Sequence, residues 1–349
     1  MSNEAILTPA TEEAKIRPII QVLFIALSIG VIWYCLSKRL NVFMTNDPKP
    51  SIIYVTPEIY NDFGGFPDNI QVGLYINQFR VFNITNNEFD FDAIIWFEFN
   101  PDIMSLQTLE KFTFKNGEIV SKSAPDTQII NNKLLVRYNI RAKCTGQLNY
   151  ADFPLDNHTL NLVVANYFVS PSTMLFTSSV REFIIKARTK SFGWERVDHR
   201  VTTGIEKAEI DMYNEDKTNY YPIAVFSIDF ARYGIRYTFS ILLPLLLIFY
   251  LTLFSFSWGK GGGVGMATAG ITAILGYRFV IENLSPKVGY FMLSDYIFFL
   301  FLACNSLIFL VNIVDAYARP ITLREKCITL VTLHAIVIIS CIYLFLFWN

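Results

Sequence analysis

The chain has 349 residues, 52% of them hydrophobic, and its 29 basic side chains nearly balance its 30 acidic ones. A mean hydropathy of +0.36 is high for a protein dissolved in water, and a net charge of −1 sets up no field to recruit nucleic acid or an acidic substrate. Only Cys144 of the five cysteines lies in the polar middle of the chain, so that region cannot close a disulfide within itself. No HExxH, GxSxG or GxxxxGK[ST] pattern occurs, so the sequence carries no signal for an enzyme, a metal site or a cofactor.

In chain order, residues 1–17 (MSNEAILTPATEEAKIR) are polar and read as a cytoplasmic segment. Residues 18–37 begin PIIQVLFIALSIGVIWYCL, close in length to the roughly 20 residues needed to cross hydrocarbon. Two readings of this span stand, an uncleaved signal anchor and a cleaved signal peptide. The long acidic leader, and the lack of an A-x-A site in WYCLSKRL, favour the anchor.

From 50 to 233 the pattern changes to period two. Val136 to Lys143 places an apolar residue at every second position, and Phe226-Ser227-Ile228-Asp229-Phe230 does the same, so both predict half-buried strands. Val72–Phe82 and Phe89–Phe99 predict two strands joined by the turn-like Asn83-Ile84-Thr85-Asn86-Asn87. No long helical pattern interrupts this region, which is expected to form one all-β sandwich. Oily segments return at 234–258, 289–316 and 325–348, and with 263–283 they predict a bundle of four membrane-spanning helices. Arg319, Arg324 and Lys326 lie between the last two spans, and Lys260 precedes residues 263–283. Placing both loops in the cytoplasm obeys the positive-inside rule, which puts the sandwich on the extracytoplasmic side of a multi-pass protein of the cell (inner) membrane, bathed in lipid.

The segment GKGGGVGMATAGITAILGYRFVIENLSPKVGY, Gly259 to Tyr290, is the least oily of these. An arginine such as Arg278 costs roughly 2.5–3.5 kcal/mol at the centre of a membrane helix on insertion scales. At helical spacing Gly265, Ala269, Thr272, Gly276, Phe279 and Asn283 fall on one stripe of small or mildly polar residues. The stripe has two readings: small residues that permit close helix packing, or the lining of a water-filled path for small ions. A single helix per chain cannot enclose a path, so the second reading demands a ring of identical subunits. Ile271 and Ile274 are expected to face neighbouring helices.

Three further stretches, in this order and spacing, resemble the pentameric ligand-gated ion channels of the Cys-loop receptor superfamily. They are YADFPLDNHTLNLVV, with Phe153-Pro154-Leu155-Asp156; FSIDFARYGIRYTFSILLPLLL, which runs through Arg232 into an oily helix; and NLSPKVGYFMLSDYIF, with Pro286-Lys287-Val288. The cysteines that flank the F-P-x-D loop in many members are missing, so the likeness is to the bacterial type. The resemblance covers about Pro50 to Phe347. It implies a homopentamer with an extracellular ligand-binding-type sandwich and a pore lined by the second channel helix. It also implies gating through the F-P-x-D loop, with Phe153, Pro154 and Asp156 meeting the linker Leu284 to Tyr290, including Pro286 and Lys287. Arg232 is expected to pair with Asp156 or with Glu88. Trp194, in FGWERV, suits either a family strand start or simple core packing.

The chain departs from the family in three respects. The interval Asn100 to Lys133 is short and lacks the W-x-P element of the agonist site. Remaining candidates for a ligand-binding aromatic set are Tyr167, Phe168, Tyr220, Tyr221 behind the tip Asn214 to Lys217, and Trp96 from a neighbour. Gly261 and Gly262 stand where cation-selective members carry glutamate. Lys260 therefore favours anions and Glu282 favours cations, with Arg278 offsetting the latter. The extra first span is the third departure, and anchoring and lateral packing against the last helix are both open for it. Two functions stand at this point: a gated ion channel opened by a small agonist or by protons, and a non-conducting membrane-anchored sensor or binding protein of the same fold.

Overall fold

Period-two segments pair into strands, and the oily ones coil into long helices. The computed structural model describes residues 16–56, 59, 67–188, 193–209, 218–232, 235–258 and 260–348, with backbone alone at 209, 218, 260 and 261. The described residues divide into two units. A β unit lies within Phe43–Tyr150 and Asp156–Gly234, and a helical unit lies within Met1–Val42, Ala151–Leu155 and Ile235–Asn349.

In the β unit, β1 (Asp68–Asn83) and β2 (Glu88–Phe99) form an antiparallel hairpin in which Phe82 faces Phe89. The turn ends at Asn87, whose φ of 58° lies in the left-handed region that asparagine tolerates. A short helix, Leu106–Leu109, lies between β2 and the strands that follow. β3 (Thr113–Lys115), β4 (Gly117–Lys122), β5 (Asp126–Ile130), β6 (Lys133–Thr145), β7 (Asn157–Ala165), β8 (Met174–Thr177), β9 (Phe183–Ile185), β10 (Trp194–Glu209) and β11 (Thr218–Arg232) complete the unit. One sheet has the order β4-β6-β2-β1-β8, with β5 on β6 and β9 on β1; the other has the order β10-β11-β7-β3.

The two sheets meet through aromatic rings. Phe82 lies 4.7 Å from Phe230, Phe91 5.8 Å from Phe114, and Phe183 5.1 Å from Phe226. Each of these pairs joins one sheet to the other, so the unit is a sandwich with a phenylalanine core. The expectation that Phe226 to Phe230 is half-buried needs correction, since Ser227 and Asp229 are buried as well. The outer face of this sheet is covered by the extended strap of residues 43–56. Ile53 of the strap pairs with Ile205, and Ile52 packs on Val163 and Val225.

The helical unit contains α1 (Pro18–Leu40), α3 (Arg236–Leu253), α4 (Lys260–Leu284), α5 (Leu293–Ile313) and α6 (Leu323–Ile342), the label α2 being given to the short helix at Leu106. A tight turn extends α3 to Ser257, and wider turns extend α5 to Ala318 and α6 to Phe347. All five long helices are long and apolar enough to cross a membrane, and α4 is the least apolar of them. α1 packs against both α3 and α6. The Ser28 hydroxyl lies 2.9 Å from the Tyr250 hydroxyl and 3.1 Å from His334 Nδ1, and the Gln21 amide donates to the Leu253 carbonyl at 3.2 Å. Polar groups buried among oily helices gain from such partners because lipid offers none.

Phe230→Ala is expected to destabilise the sandwich by about 3–5 kcal/mol, the range for a buried phenylalanine truncated to alanine. Ile129→Ala, at a side chain 75% exposed, should stay within about 0.5 kcal/mol of wild type. Denaturant unfolding of the detergent-solubilised chain, followed by tryptophan fluorescence, checks both.

Candidate functional site

The predicted stripe on α4 falls on one exposed face of the chain. Gly265, Ala269, Thr272, Gly276, Phe279 and Asn283 are all exposed, Phe279 at 70%. The opposite face is packed, with Ala267, Ile274 and Ile281 fully buried, while Ile271 is half-buried. Two different small residues serve packing. A Cβ at Gly263 would stand 2.5 Å from Asn312 Oδ1, and one at Gly270 would collide with the Thr252 hydroxyl. Gly265 and Gly276 have open space where a Cβ would go. Close packing within the chain therefore accounts for Gly263 and Gly270 but not for the stripe. Thr268 and Thr272 turn their hydroxyls back to the carbonyls of Val264 and Thr268, at 2.9 and 3.0 Å. Lys260 opens the helix, and its side chain lies outside the described residues.

At the other end of α4, Arg278 is held on two sides. Its guanidinium lies 2.9 Å from Glu282 one turn on and 2.5 Å from Asp295 in the first turn of α5, with the Phe298 ring 5.1 Å away. Asp295 also accepts the Met292 N–H at 2.8 Å, closing a cap on α5. Carboxylates suit the positive end of a helix, and a paired arginine is far cheaper in a membrane helix than a bare one. Glu282 remains exposed. An open cleft of about 680 Å³ lies here, lined by Arg278, Glu282, Pro286, Lys287, Phe291 and Asp295.

The next two N–H groups of α5 bind the F-P-L-D segment. Leu293 donates to the Ala151 carbonyl at 2.7 Å, and Ser294 donates to the Phe153 carbonyl at 3.0 Å. The Thr238 hydroxyl of α3 reaches the Pro154 carbonyl at 3.5 Å. The loop was expected to meet Leu284 to Tyr290, and its backbone bonds to α5 fall just beyond that linker, at 293 and 294. The physical reason is that the first turn of a helix has N–H groups without intrahelical acceptors, and these take the loop carbonyls. Phe153 and Pro154 are buried, Pro286 is buried, and Lys287 is exposed.

In the β unit a chain of alternating charge ends at Arg232. Arg232 grips both oxygens of Asp156 at 2.8 Å, and its guanidinium lies 4.4 Å from the centre of the buried Trp194 ring. Asp156 accepts His158 Nε2 at 2.8 Å, and His158 Nδ1 stands 3.2 Å from both oxygens of Asp47. Asp156 and His158 are each 1% exposed. Of the two carboxylates offered for Arg232, Asp156 is the bidentate partner, and Glu88 is exposed at the start of β2. Burial opposes ionisation of Asp156, but the Arg232 charge and the His158 hydrogen bond hold its carboxyl well below the usual range. Burial likewise opposes charge on His158, yet its hydrogen bonds to Asp156 and Asp47 raise it to about 9.

The aromatic candidates divide. Tyr167 and Tyr221 meet edge to face at 5.0 Å, and the Lys111 ammonium lies 4.8 Å over the exposed Phe168 ring. Tyr220 is half-buried on β11, next to Tyr221 in sequence, while Trp96 is half-buried on the other sheet and packs over Gly73 of β1. The tip Asn214 to Lys217 lies outside the described residues. Sequence reasoning missed Arg39, Asp47, Asp152, His158 and Asp295. Of these only Asp295 had a local signal, as an acidic residue in the first turn of an oily helix. No protein-family model matches the chain, and no curated protein matches it in sequence.

Two predictions follow from the charge chain. Arg232→Ala takes the bidentate partner from the buried Asp156 carboxylate and should cost about 3–5 kcal/mol. Arg200→Ala should cost only about 1 kcal/mol, because Arg200 is 45% exposed in its pair with Asp229. Because His158 has its pKa raised on folding, its contribution is complete below its ordinary value of 6.5 and is lost as pH rises through about 9. The melting temperature of the β unit within the full chain should fall across that window, and His158→Gln should flatten the fall. An equal fall in the variant counts against the assignment.

Proposed function

We propose that the chain is one subunit of a homopentameric ligand-gated ion channel, of the bacterial type in the Cys-loop receptor superfamily, in a cell (inner) membrane with its sandwich extracytoplasmic. The observation that carries this reading is the exposed stripe on α4, whose small and mildly polar residues are separate from the glycines that pack the helix. Five such faces around a common axis would hide the least oily helix from lipid and line a path for small ions. Phe279 and Asn283 stand at the outer end of that path and Gly265 at the inner.

Gating follows from the wiring inside each unit. The Ala151–Leu155 segment is bonded to the start of α5, and Asp295 at that start holds Arg278 on the pore helix. A shift of the loop is thereby passed to α4 through backbone bonds and a charge-assisted pair. The loop continues directly into Asp156, which Arg232 and His158 fix within the β unit. The agonist is a small molecule or the proton, with the Tyr167, Phe168, Tyr220 and Tyr221 region as the binding candidate.

Native mass spectrometry of the purified protein should give five copies, and monomers in several detergents would contradict the ring. In a sodium chloride gradient, planar-bilayer currents should show weak selectivity with a small preference for anions. Lys260 lies at the inner entrance, no carboxylate occurs between Ser255 and Glu282, and Glu282 shares its charge with Arg278. Lys260→Glu should move the reversal potential towards that of sodium. A five-fold ring that carries no current under any condition would favour the non-conducting sensor.

A further inference from the structure

The first helix and the strap that follows it hold the F-P-L-D segment on both of its flanks and within it. In the helical unit, the last turn of α1 presents Arg39, whose guanidinium donates to Asp152 at 2.9 Å. Both side chains are under a tenth exposed, so this is a buried, charge-assisted contact. Asp152 in turn closes the segment's own turn, its carbonyl accepting the Leu155 N–H at 2.7 Å. In the β unit, the strap presents Asp47, which accepts the backbone N–H groups of Asn149 at 2.6 Å and Thr159 at 2.7 Å as well as His158 Nδ1. Asn149 and Thr159 bracket residues 151–155 in the sequence. α1 is itself anchored by Gln21 and Ser28 on α3 and α6, and the strap by the Ile53–Ile205 bridge.

An anchor needs none of these bonds. A helix that only tethered the chain could end in a polar linker, whereas here a buried arginine at the helix end bonds the Asp152 carboxylate and a buried aspartate eight residues on, in the strap, bonds the N–H groups of Asn149 and Thr159. The removal of either residue takes a hydrogen-bond partner from a buried carboxylate or from buried N–H groups.

We propose that Arg39 and Asp47 are positioning residues for the F-P-L-D loop, so that the N-terminal helix and strap are part of the gating transmission. The second half of this statement rests on the channel reading; the first does not. Loosening at Arg39 frees Asp152 and, through it, the Ala151 and Phe153 carbonyls that cap α5. Loosening at Asp47 frees the two ends of the same segment.

Hydrogen exchange by mass spectrometry on the full-length protein in detergent tests the positioning. In Arg39→Gln the amides of Leu293 and Ser294 should exchange roughly tenfold faster, with β2 and β6 unchanged. In Asp47→Asn the amides of Asn149 and Thr159 should do so. Arg39→Lys, which keeps the charge, should restore most of the protection. Unchanged exchange at these four amides, or faster exchange spread evenly over the chain, overturns the proposal. Bilayer recording of the same proteins tests transmission: the spontaneous open fraction should change at least threefold in Arg39→Gln, roughly the effect of losing part of one charged hydrogen bond, and recover in Arg39→Lys. A conducting wild type with an unaltered open fraction in Arg39→Gln overturns the gating role. A silent wild type defeats the channel reading instead, and the exchange result still decides the positioning.

Discussion

The first turn of α5 has N–H groups that nothing in its own helix can satisfy, and the rest of the helical unit is arranged around that need. Leu293 and Ser294 take carbonyls from Ala151 and Phe153, and Met292 takes the Asp295 carboxylate. Asp295 is then placed to hold Arg278, the one arginine within α4. A helix terminus thus collects a loop and a neighbouring helix at a single point, with one carboxylate serving as cap and counter-ion.

The β unit meets a related problem with side chains. Arg232, Asp156, His158 and Asp47 alternate in sign, and each buried charge has an opposite neighbour. Breaking such a chain at any member is costly, whereas the intact chain fixes both the end of β11 and the start of β7. These are the strands whose termini run toward α3 and from the F-P-L-D segment in the sequence. The protein therefore has buried, paired charges where the gating proposal needs stiffness, and exposed small residues on α4 where it needs water.

Much of the architecture was legible from periodicity. The hairpin of β1 and β2, the strand through Val136 to Lys143 and the five long helices are all set by local patterns of apolar residues. The stripe on α4 was legible for the same reason. The strap was not, because residues 43–56 have no period and their role depends on a sheet more than 100 residues away. That is also why Ser227 and Asp229 read as solvent-facing yet are buried. Arg39, Asp47 and Asp152 are single polar residues whose partners are remote in sequence, so no spacing marks them. The loop's backbone bonds at 293 and 294 were not legible either, because hydropathy locates a span, whereas unsatisfied N–H groups locate a contact.

The central claim is that the face of α4 bearing Thr272 meets water in a conducting ring while the face bearing Ile274 stays packed. Cysteine accessibility tests it most directly. Thr272→Cys and Ile274→Cys are placed in a background without native cysteines, and a water-soluble thiol reagent is applied during bilayer recording. The account predicts rapid modification with block of current at position 272 and none at 274, where the side chain has no exposed surface. Block at 274 with none at 272 would contradict it.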